Sequence, residues 1–165
     1  KPASAFASAN LSRPGTTLTC AGKRPDYWQQ QCNFAHWPLP RFIPSSTNVT
    51  GCAVNYTAPR RVTGEPYPPT KFGDVFVRAS SAYDSMTLLQ VLKLQNNTGA
   101  DGLAKHVVAA LLNAAKGHTP TDVLSESILH NMWFSFLIAA YYEPTAGTRW
   151  QANDLIAWMT TTMPG

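Results

Sequence analysis

Three groups of residues in this chain have types and spacing that bear on chemistry: an acid and a histidine at helical spacing, three cysteines, and aromatic rings set among prolines. Glu126 and His130 stand four apart, so a helix carries both on one face. Such a pair can work as an acid/base couple or supply half of a metal site. The same spacing also gives an ordinary hydrogen bond along a helix. That structural reading weighs more, because no third ligand or base lies nearby in sequence. The sequence holds no Gly-x-Ser-x-Gly elbow, no His-Glu-x-x-His, no phosphate loop and no dinucleotide fingerprint. His106, beside Lys105, and His118, after Gly117, read as surface or capping histidines. Spacing selects no two of Glu65, Asp74, Asp84, Asp101 and Glu143 as the carboxylate pair of a glycosidase. No catalytic residue is assigned, no cofactor is called for, and the chain is not read as an enzyme.

Cys20, Cys32 and Cys52 are the disulfide candidates. They lie in a proline-rich half where a covalent staple helps most, and any pairing leaves one thiol over. All three pairings stay open. The rival is zinc: Cys32 and His36 are four apart, and Cys20 and Cys52 would complete a Cys3His set. That set lacks the tight Cys-x-x-Cys knuckle, and no metal is assigned. Among the aromatics, Tyr27, Trp28 and Trp37 are the binding candidates, as a surface on which a sugar stacks. With Tyr56 and Tyr67 they serve equally as a small core standing in for missing secondary structure, and the core reading is the stronger one.

The elements that must position these residues follow from composition and pattern. The chain has 165 residues, 44% of them apolar, which suits one domain with a real core. Charged residues make up 13%, about half the usual share, so the polar surface rests on Ser, Thr, Asn and Gln. Net charge is +4, from 13 Lys and Arg against 9 Asp and Glu. The basic residues are scattered rather than striped, which speaks against nucleic acid as a partner. The most apolar stretch, residues 132–142, is shorter than the roughly 20 residues of a membrane span. The small-residue opening from Lys1 to Ala9 reads as a chain already cut after export.

Residues 1–19 read as a flexible arm, and residues 20–165 as a single globular domain. Within it, residues 20–80 form an irregular, Pro- and aromatic-rich, disulfide-stapled layer, with short strands expected at 48–56 and 74–78. Residues 81–165 are helical, so the fold class is mainly α, with four helices packed on that layer. The first helix is marked by Met86, Leu89, Val91 and Leu92. The second is capped at Asp101 and stops at Lys116-Gly117. The third opens at Thr119-Pro120-Thr121-Asp122 and ends before Pro144. The fourth begins near Asn153.

Two segments resemble a family of bacterial secreted proteins known from a Gly-Tyr-Trp-Lys-Asn-His motif near a cysteine, followed by Trp-Pro. One is Cys20-Ala21-Gly22-Lys23-Arg24-Pro25-Asp26-Tyr27-Trp28, continuing to Cys32 and His36-Trp37-Pro38. The other, Leu103-Ala104-Lys105-His106-Val107-Val108-Ala109-Ala110-Leu111-Leu112-Asn113, looks like that family's Leu-Ala-x-x-hydrophobic pair-Ala-Ala-x-Leu-Asn helix. Here the motif's Gly, Lys, Asn and His are Asp26, Gln29, Gln30 and Gln31. The resemblance implies a secreted or cell-surface, bacterial protein and no particular reaction. With the low charge, the arm and the odd cysteine, the expected function is a structural subunit of an extracellular assembly such as a filament. Its partners are then copies of itself. The alternatives are a carbohydrate- or surface-binding module, with surface glycans as partners, and a small secreted hydrolase.

Overall fold

A computed structural model describes residues 19–165. The expected arm lies outside the described residues except for Thr19. The elements in order are α1 (Pro25–Gln29), a 3-10 helix (Gln31–His36), α2 (Phe72–Val75), α3 (Leu88–Leu92), α4 (Gly99–Lys116), α5 (Glu126–Ala139), β1 (Tyr142–Thr145), β2 (Thr148–Trp150) and α6 (Ala152–Thr161). The chain is mainly helical. Among the described residues, no helix is long and apolar enough to cross a membrane.

α4 is the central element, packed against α1, α3, α5 and α6. Its apolar positions recur at helical spacing, and Leu103, Val107, Leu111 and their Ala neighbours are fully buried. Small residues let the neighbours come close. A Cβ on Gly102 would lie 2.3 Å from the Asn97 carbonyl carbon and 3.1 Å from Ile156 Cδ1 of α6. The helix stops as its sequence demands, with Lys116 in the last turn and Gly117 at φ 77°.

α3 is short because Thr87 and Gln90 close a capping box at its start and Lys93 leaves the helical path at its end. α5 begins later than the Thr119-Pro120 signal predicts. Residues 119–124 instead make a turn, in which the amides of Val123 and Leu124 both donate to the Pro120 carbonyl. Ser125 is the actual cap, its hydroxyl accepting from the Ile128 amide at 3.1 Å. After α5 the chain turns through Ala140, at φ 66°, into an antiparallel hairpin that the helical reading of this region did not anticipate.

The proline-rich layer holds three short helices rather than loop alone, with Pro25 at the first position of α1, where its missing donor costs nothing. The expected strand at 48–56 reduces to one bridge, Val49 with Tyr56. The expected strand at 74–78 is instead α2 and its exit. Phe72 anchors α2 through its amide to the Met86 carbonyl at 2.8 Å, while Gly73 lies against the Asp84 backbone. One cluster of buried side chains takes in Trp28, Phe34, Trp37 and Tyr56 from this layer together with the inner faces of the helices.

Candidate functional site

Cys32 and Cys52 are joined in a disulfide, and Cys20 is the free, half-buried thiol. The Val49–Tyr56 bridge folds residue 52 back toward the 3-10 helix and so makes the pairing. Two of the three sulfurs of the candidate zinc set are thereby consumed. His36 stacks on Tyr27 with ring centres 6.4 Å apart. Among the described residues, no three His, Cys, Asp or Glu side chains gather where they could hold a metal ion.

The aromatic candidates belong to the core. Trp28 is 0% and Trp37 1% exposed, so neither offers a face to a sugar. Trp37 Nε1 donates to the Trp28 carbonyl at 3.0 Å, and Trp28 Nε1 donates to Asn113 Oδ1 at 3.2 Å. Tyr27 is half-buried, set edge-on to Trp28 at 5.1 Å with the Lys23 ammonium 5.3 Å over its ring.

Glu126 and His130 share a face of α5 but do not work as a couple. Both carboxylate oxygens of Glu126 accept from the Arg41 guanidinium, at 2.7 and 2.6 Å. His130 lies against Phe76 at 4.8 Å, and burial pushes its imidazole below the ordinary value. The acid is engaged and the base is packed, so the arrangement braces α5 against the proline-rich layer. A hydrogen bond between the two, the structural alternative read from the spacing, is not what forms either.

The residue that sequence reasoning passed over is Asn113, fully buried in α4. Its Oδ1 accepts from the Lys23 amide at 2.8 Å as well as from Trp28, and its Nδ2 donates to the Lys23 carbonyl at 2.9 Å. Around it the Ala21 amide donates to the His118 carbonyl, the Gly22 amide to the Thr162 carbonyl, and the Gly165 amide back to Gly22. A Cβ on Gly22 would lie 2.4 Å from the Thr162 oxygen, so only glycine fits there. The signal was present: a lone Asn on the apolar face of an Ala-rich helix must have partners. Residues 20–28 and 103–113 meet at this clamp.

Two surface features bear on binding. At the end of α5, Phe76, His130, Trp133, Phe134 and Leu137 wall a small cavity. Among the described residues, Trp133 Nε1 is buried without a hydrogen-bond partner. The Arg78 guanidinium lies 4.1 Å over the Phe134 ring. Next along the chain, Val77 and Ile138 are 71% and 68% exposed. The second feature is a groove of about 310 Å³ between α1, α4 and α6, walled by Arg24, Pro25, Asp26, Asn97, His106, Ile156 and Thr160. Compared with protein-family models, curated proteins and solved structures, the chain matches none.

Proposed function

We propose that this protein is an exported structural subunit of an extracellular or cell-surface assembly, with further copies of itself as its partners. The observation that carries this reading is the end of α5, where Phe134, Leu137, Ile138 and Val77 are left partly or largely uncovered around an aromatic-walled cavity. Apolar surface of this kind is favoured at contacts between chains. The occupant is the N-terminal arm of a neighbouring copy. Residues 1–18 span up to about 60 Å when extended, enough to reach an adjacent subunit. They carry one aromatic side chain, Phe6, flanked by Ala and Ser. Such a segment brings its backbone close to the surface while its one ring packs on the apolar side chains around the cavity mouth. The Cys32–Cys52 disulfide and the low charge support the same reading: the first persists in an oxidising compartment, and the second weakens repulsion between packed copies.

Light scattering on native material tests it. The full chain is expected at multiples of 18.0 kDa. A chain lacking residues 1–18, and the variants Phe6→Ala and Ile138→Asp, are each expected to be folded monomers. Ile138 is largely exposed, so its variant keeps the fold intact. A monomeric full chain, or assembly that survives loss of the arm, overturns the proposal.

A further inference from the structure

Lys105 is 5% exposed and sits in the wall of α4 behind the groove. Its ammonium donates to Asn97 Oδ1 at 2.6 Å, and among the described residues no carboxylate pairs with it. Among the described residues its hydrogen-bond partner is this neutral amide, so an anion brought close would supply the opposite charge it lacks. Asn97 also walls the groove, so the ammonium lies one hydrogen bond behind its surface.

The groups around it form a recognition pattern. Arg24 uses Nε on the Met163 carbonyl at 3.3 Å, leaving its other N–H groups for the groove mouth. Asn97, with Oδ1 engaged, keeps Nδ2 as a donor. His106 Nδ1 lies 2.7 Å from the Gly102 carbonyl, which can only accept, so Nδ1 carries the proton. In the neutral ring Nε2 is then an acceptor. Burial holds this imidazole below its ordinary value, with Lys105 and Arg24 adding to the effect and the Gly102 hydrogen bond and Asp26 opposing it. Thr160 donates its hydroxyl to the Ile156 carbonyl at 2.7 Å and keeps lone pairs to accept with. Pro25 and Ile156 supply apolar wall.

We infer that this groove binds a sugar acid, a monocarboxylate bearing several hydroxyls, with Lys105, Arg24 and Asn97 toward the carboxylate and His106 and Thr160 accepting from its hydroxyls. Two cations against Asp26 leave one net positive charge, which suits a single carboxylate better than a phosphate dianion. The groove's size lies at the lower end of small-molecule sites.

Titration of the full chain with D-glucuronate, followed by NMR shifts and calorimetry, tests the assignment, with D-glucose and inorganic phosphate as comparison probes. Saturable glucuronate binding is expected, at least tenfold tighter than glucose or phosphate. Lys105→Met should weaken it tenfold or more without lowering the denaturation midpoint, because it removes an unpaired buried charge. Asn97→Asp places a carboxylate on Lys105 from within the chain. It should raise the midpoint and abolish glucuronate binding, and it keeps the test decisive should the Met variant fold poorly. No binding of glucuronate, equal binding of glucose, or tighter binding of phosphate each overturns the sugar-acid assignment.

Discussion

Asn113 grips Lys23 by both ends of one peptide residue, accepting from its amide at 2.8 Å and donating to its carbonyl at 2.9 Å. A single amide side chain thus reproduces the pairing of a β-strand neighbour from the middle of a helix. It docks the segment from Gly22 to Trp28 onto α4 in one register, and the position of the buried Trp28 ring follows from it. Asn113→Leu leaves two buried donors and one acceptor without partners, at about 1–3 kcal/mol for each group stranded. The variant is expected to lower the urea midpoint by the equivalent of at least about 3 kcal/mol with an unchanged denaturant slope. A midpoint within error of the parent would show that the clamp contributes nothing.

Trp28 and Trp37 make a related prediction. Because both rings are fully buried, Trp28→Ala and Trp37→Ala should each destabilise the fold by about 3–5 kcal/mol. Thermal unfolding monitored by circular dichroism reads this directly. Variants that keep the parent's melting temperature would place the rings at the surface instead.

The thiols can be counted. Unreduced native protein should react with one equivalent of a thiol reagent, through Cys20, and with three after denaturation and reduction. Burial raises the Cys20 thiol above its ordinary value, so less of it is thiolate at neutral pH and labelling should be slower than for a free cysteine. The Cys32–Cys52 bond spans 20 residues, and closing such a loop restricts the unfolded chain by about 3 kcal/mol. Reductant should therefore shift the unfolding midpoint downward. Labelling of three thiols in the unreduced native protein would disprove the bond.

Acid should weaken the fold through its histidines. His106, His118 and His130 are all held by burial below the ordinary 6.5. The unfolded chain takes up protons near that value that the folded chain refuses, so stability falls as pH drops below about 6.5 and is recovered above it. The urea midpoint should be lower at about pH 5 than at about pH 7.5. An equal or higher midpoint in acid would contradict the buried, neutral imidazoles.

The Arg41–Glu126 pair is bidentate, yet the Arg41 side chain is 59% exposed. Glu126→Gln should therefore cost at most about 1 kcal/mol, with the loss shrinking in high salt. A large, salt-independent loss would mark the pair as part of the core.

What the sequence made legible was whatever its local pattern controls. α4 ends at Lys116-Gly117 as its composition requires, and α6 starts within a residue of Asn153. α5 was misplaced at its start because the stretch holds two competing start signals, Pro120 and Ser125. Only packing of the turn at Val123 and Leu124 decides between them. The hairpin was hidden because Tyr141 and Tyr142 continue the apolar run of α5. The site features were the least legible. Arg41 and Glu126 are 85 positions apart, and the groove draws on residues 24–26, 97, 106, 156 and 160. No spacing rule joins such distant positions. The cysteine pairing depends on one isolated bridge with no strand pattern to announce it.

Gly22 lies under the Thr162 carbonyl and receives the Gly165 amide, so residues near the start of the described chain are locked by its last four. A polypeptide emerging amino end first therefore lacks this closing contact of its core until residues 162–165 have appeared. Asn113 can place Lys23 and Trp28 once α4 has formed, but the Gly22 corner closes only with the turn after α6, which acts as its latch.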